Sequence, residues 1–81
     1  MNNDAYMNWH DYISTDPQVC HGKACIRGTR VPVSVVLDNL AAGLSAKDIR
    51  ESYPSVSDEA IRAVLAYAAD LASERIVAMP S

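Results

Sequence analysis

The spacing of apolar residues changes character at Val33. From there Val33, Val36, Leu37, Leu40 and Ala41 recur three or four apart, one stripe along a helix, and Gly43 behind Ala42 supplies a C-terminal stop. The pattern predicts a first helix over 33–42. Ser45 then stands as an N-cap, with Asp48 three residues on in the capping-box position, and Ile49 and Tyr53 share a face before Pro54 interrupts. A second, short helix over 46–53 follows. Ser57 caps a third over 58–77, whose first turn carries Asp58 and Glu59 where the helix dipole favours negative charge. Its core stripe is read as Ile61, Val64, Leu65, Ala68, Leu71 or Ala72, and Ile76.

Ahead of Val33 the helical period is missing. Residues 1–11 show no stable pattern and are expected as a flexible end, with Tyr6 and Trp9 as the residues able to pack down. Residues 12–33 read as a short β element: a strand at Tyr12-Ile13, the turn chemistry of Ser14-Thr15-Asp16-Pro17, then extended pieces at Val19-Cys20, Cys25-Ile26-Arg27 and Arg30-Val31-Pro32-Val33 around turns at His21-Gly22-Lys23 and Gly28-Thr29. Alternation sets Cys25 and Arg27 on one side of the middle piece and Ile26 on the other. Such a hairpin is marginal alone and must lean on the helices.

The expected fold is therefore mainly α: a small trihelical helix-turn-helix domain, homeodomain-like or winged-helix-like, with a short N-terminal β element, one domain over 12–78. The third helix is apolar around most of its circumference through Ala63, Ala66, Tyr67 and Ala69. That surplus either meets another chain, with Tyr67, Leu71 and Ile76 as contact residues, or reflects a close helix crossing that small alanines permit.

Length and composition bound the rest. A chain of 81 residues buries roughly 60% of its unfolded surface, enough for one modest core. With 49% hydrophobic and 21% charged residues it is ordinary globular material. The N-terminal stretch lacks the marks of a signal peptide and no apolar run reaches membrane-spanning length, so a cytoplasmic protein without a membrane partner is expected. In that compartment Cys20 and Cys25 are expected as thiols, one disulfide being the alternative.

The formal charge of −3 argues against a surface that embraces nucleic acid as a whole. Its distribution is uneven: Lys23, Arg27 and Arg30 fall together, with no acidic residue between Asp16 and Asp38. A solvated strand, with an arginine paired to an aspartate of the same chain, explains such a block; so does a binding site. Lys23, Arg27, Thr29 and Arg30, with Lys47 and Arg50, are the candidates for nucleic-acid or protein contact, because arginine and lysine neutralise phosphates and carboxylates alike. Docking the third helix on DNA is opposed by Asp58 and Glu59, and only Arg62 helps there.

Other chemistries are poorly served. Cys20, His21 and Cys25 lack the second ligand pair of a structural zinc site, so no metal is expected. Cys20 and His21 are neighbours on an extended piece and point apart, against the geometry of an activated nucleophile. The stretch GKACIRGTR has its lysine after the first glycine and no helix directly after the second, unlike a P-loop. No catalytic residue, cofactor or metal is assigned, and a non-enzymatic protein is expected.

The run DPQVCHGKACIRGTRVPVSVVLDNLAAGLSAKDIRESYPSVSDEAIRAVLAYAA, residues 16–69, closely resembles the bacterial and archaeal family catalogued as domain of unknown function 433, through G-K-x-C-I-R-G-T-R, L-x-x-G-x-S, Y-P and a closing A-Y-A-A. Ala24 departs from it, since proline is common there. The resemblance implies a helix-turn-helix-like domain and an antitoxin of a type II toxin-antitoxin pair, matched to a PIN-like ribonuclease toxin. It also implies operator DNA binding as a homodimer, for autoregulation of transcription. The alternatives are a stand-alone DNA-binding regulator without a toxin and, last, a thiol or metal enzyme built on Cys20, His21 and Cys25.

Overall fold

The computed structural model describes residues 7–18 and 22–75, the side chains of 74 and 75 excepted. A 3-10 turn, Trp9–Asp11, leads into strand β1, Ile13–Ser14, which pairs antiparallel with β2, Cys25–Ile26, in the register Ile13 to Ile26 and Ser14 to Cys25. Helices α1, Val33–Ala41, α2, Ala46–Ser52, and α3, Asp58–Arg75, follow. The chain is thus mainly helical, three helices with a short two-stranded sheet, as the apolar periods predict.

The caps explain the helix ends. Ala42 closes α1, and Gly43, at φ +96°, lets the chain reverse so that the Gly43 and Leu44 N–H groups donate to the carbonyls of Leu40 and Asn39. The Ser45–Asp48 capping box is present in both directions: the Asp48 N–H donates to Ser45 Oγ at 3.1 Å and the Ser45 N–H to Asp48 Oδ2 at 3.0 Å. The Ser45 backbone N–H, and after it the Ser45 hydroxyl, hold the exposed Asp48 carboxyl below its ordinary pKa, since hydrogen bonds to the carboxylate favour the charged form. At α3 the Ser57 hydroxyl accepts from the Ala60 N–H at 3.0 Å.

The core joins both halves of the chain. Ile13 and Ile26 from the sheet, Val33 and Val36 from α1, Ile49 from α2, Val56, and Ala60, Ile61, Ala63 and Val64 from α3 form one buried cluster. Cys25 and Ile26 are both buried, Ile26 within the core cluster and Cys25 beside the bridge to Pro32. One sequence expectation shifts here. On α3 the buried stripe lies over Ala60, Ile61, Ala63 and Val64, while Leu65 and Leu71 are exposed at 49% and 44%; the alanine positions let the backbone approach the core and turn the larger leucines outward.

The N-terminal side is held differently. Residues 7–11, expected as part of a flexible end, pack on α3: the Trp9 indole N–H donates to Asp70 Oδ2 at 2.6 Å, and its ring meets Tyr67 edge-on at 4.8 Å and stacks on His10 at 3.7 Å. Trp9 thus packs down as its size allows. Tyr6, the expected Val19-Cys20 piece, His21, and Ile76 with the expected end of helix 3 lie outside the described residues.

Candidate functional site

The basic segment is built around one tight turn. The Thr29 N–H donates to the Ile26 carbonyl at 3.0 Å, with Gly28 at φ +81° in the third position, where a β-carbon would be strained. The chain then returns beside β2: the Ile26 N–H donates to the Val31 carbonyl at 2.9 Å and the Val33 N–H to the Ala24 carbonyl at 3.0 Å, with a bridge between Cys25 and Pro32. The expected Arg30–Val33 piece is therefore real but contributes only that bridge, because Pro32 has no N–H to extend a ladder.

Two of the expected contact residues are consumed in making this turn. The Thr29 hydroxyl donates to the Ile26 carbonyl at 2.7 Å and accepts from the Val31 N–H at 3.0 Å, which uses its one proton and a lone pair. One Arg27 nitrogen, Nη2, donates to the His10 carbonyl at 3.0 Å and the Ile13 carbonyl at 3.2 Å. Arg27 is thus a clasp between the 3-10 turn and the sheet, and its intramolecular partners here are carbonyls; the aspartate pairing is one of the two readings the sequence leaves open. Cys25 is buried behind the turn, its Sγ 3.8 Å from the Thr29 carbonyl.

The remaining cations separate into paired and unpaired. Arg50 Nε lies 2.8 Å from Asp58 Oδ1, both groups half exposed, so the first turn of α3 is partly neutralised and Arg50 is engaged. Lys23, Arg30 and Lys47 are exposed, and among the described residues none of them has a carboxylate partner. The structure brings Lys23, Arg27, Thr29 and Arg30 into one small element; Lys47 and Arg50 belong to α2, elsewhere in the fold.

Beside Lys23 an open groove of about 380 Å3 runs between the start of α1 and α3, lined by Lys23, Ala24, Val33, Ser34, Leu37 and Tyr67. Tyr67, expected at a protein contact, forms one wall, braced from behind by Trp9. Leu71, one turn further along α3, is exposed. In the sequence Leu37 reads only as part of the α1 core stripe, and Ser34 carries no signal. The available signal was the width of the α1 stripe, which exceeds what one core face absorbs: Val33 and Val36 are buried, Leu37 and Leu40 half-buried, Ala41 exposed.

Among the described residues no group of three or more His, Cys, Asp or Glu is placed to hold a metal ion. No described helix is long and apolar enough to cross a membrane.

The molecule is a small three-helix domain carrying a two-stranded sheet and a basic turn. It belongs to the family described as protein of unknown function (DUF433), whose model matches residues 13–68. The chain is also 38% identical over 58 residues to the uncharacterized protein y4eO of Sinorhizobium fredii, a match that covers 72% of this chain and 26% of that protein. The chain thus spans about a quarter of the length of that curated relative. No solved structure matches.

Proposed function

We propose that this protein is a non-enzymatic antitoxin of the cytoplasm, which masks a PIN-like ribonuclease toxin and, as a homodimer, binds operator DNA. The observation that carries the reading is the combination of a basic turn, whose Lys23 and Arg30 have no carboxylate partner among the described residues, with an open apolar groove walled by Val33, Leu37 and Tyr67. A single small domain that must hold both a polyanion and a protein needs those two kinds of surface. Lys23, Arg30 and Lys47 are the residues assigned to phosphate or to the carboxylates of a nuclease centre, while Arg27, Thr29 and Arg50 support the fold around them. Within this reading α2 and α3 form a helix-turn-helix in which the Arg50–Asp58 pair lessens the repulsion between phosphate and the acidic start of α3.

The test is co-expression with the product of the adjacent gene, followed by co-purification and a growth assay. A stable complex that relieves toxicity is expected; neither toxicity nor a complex removes the antitoxin reading. The second reading, a stand-alone DNA-binding regulator, draws on the same exposed cations, and its sign is steeply salt-dependent DNA binding with no protein partner. Replacing Lys23 and Arg30 by alanine is expected to lower the salt slope by about one for each phosphate that is no longer neutralised.

A further inference from the structure

We infer that the groove between α1 and α3 seats a large apolar side chain of a protein partner, adjoining a carboxylate of that partner that meets Lys23. The inference rests on the reading of the protein as one that binds a protein, and it assigns that task to the groove in place of the outer leucines of α3.

The groove has a polarity. The Val33 N–H donates to the Ala24 carbonyl at 3.0 Å, which sets Lys23 and Ala24 against Val33 and Ser34, so Lys23 and Ser34 fall together at the start of α1. One helical turn on, Leu37 with Tyr67 makes an apolar wall. Among the described residues no carboxylate lines the groove, and the first turn of α1 carries no acidic side chain, so no described residue answers the positive charge of Lys23 within the site. An apolar group with an adjacent negative charge matches both ends at once.

Shape points to a side chain carried on a protein surface. The groove is more open than enclosed, whereas pockets for small ligands enclose most of what they bind. Its wall is also preset. Tyr67 is fixed by the edge-on Trp9 ring, and Trp9 in turn by its bond to Asp70, so less ordering cost falls on binding.

The test is panning of a random-peptide phage library on the full-length protein, with affinities of the enriched peptides measured for the wild type and for Lys23→Glu, Ser34→Tyr and Glu51→Lys. Enrichment of a large apolar residue beside Asp or Glu is expected, with roughly tenfold weaker binding to Lys23→Glu, loss of binding to Ser34→Tyr and neither effect in Glu51→Lys. Thermal unfolding of each variant confirms that it is folded, as expected for substitutions of exposed residues. Absence of any enriched pattern, or peptides indifferent to both groove variants, would overturn the inference. Failure of the antitoxin reading is seen separately, in the co-expression experiment: a peptide pattern that maps to the groove without a co-purifying nuclease removes the toxin and keeps the site.

Discussion

The two halves of this domain are stabilised by different physics. In the helical half, from Val33 on, apolar residues at helical spacing close over one another and short local caps satisfy the ends. In the N-terminal half, strands of only two residues are tied by individual side chains: Thr29 to the nearby Ile26 carbonyl, and, far along the chain, Arg27 to the His10 and Ile13 carbonyls and Trp9 to the Asp70 carboxylate. The first kind of stabilisation tolerates exchange among apolar residues of similar size. The second depends on individual donors, and each has one geometry that works.

The contrast is sharpest in the size of mutational losses. Ile49, fully buried at the centre of the core, is expected to cost about 2–5 kcal/mol when cut to alanine, a large share of what a domain of this size possesses. Chemical denaturation measures it directly. Arg27→Ala should come next, with a loss of about 1–2 kcal/mol from two charge-assisted bonds near the surface, whereas Arg30→Ala should leave stability within about 0.5 kcal/mol of wild type. Equal losses for the two arginines would break the distinction between clasp and free cation.

A smaller loss than that of the Arg27 clasp belongs to the α2 cap. Ser45→Ala is expected to cost about 1 kcal/mol, with a pH signature from Asp48. Its carboxyl is held below the ordinary value by the Ser45 backbone and hydroxyl groups, so its contribution is full above the unfolded pKa, near 3.9, and fades as pH falls through the lower folded value. Thermal unfolding followed between pH 7 and about 2.5 should show this acid-side loss in the wild type and a smaller one in Ser45→Ala.

The same contrast decides what was legible in the sequence. The three helices, their starts and the Gly43 stop lie within a few residues of the signals that specify them, so period and cap chemistry reveal them. The basic turn is also local and readable, down to its positive-φ glycine. Its division of labour is not. Arg27 and Arg30 are three residues apart and alike in composition, yet only the fold shows that one reaches backward across 14 and 17 positions to carbonyls while the other faces solvent. The groove escaped notice for a similar reason: Lys23, Ser34, Leu37 and Tyr67 come from three separate elements, and no spacing rule joins them. The outward turn of Leu65 was hidden by the alanine content of α3, which satisfies several helical faces equally well.

The bond between Trp9 and Asp70 spans 61 positions, nearly the whole described chain. Closing so long a loop is entropically costly until the intervening helices have already drawn its ends together. The N-terminal segment is therefore expected to dock last as the chain folds and to leave first when it opens locally. Since Trp9 is the sole tryptophan, its emission marks this late step, separate from the helix signal that precedes it.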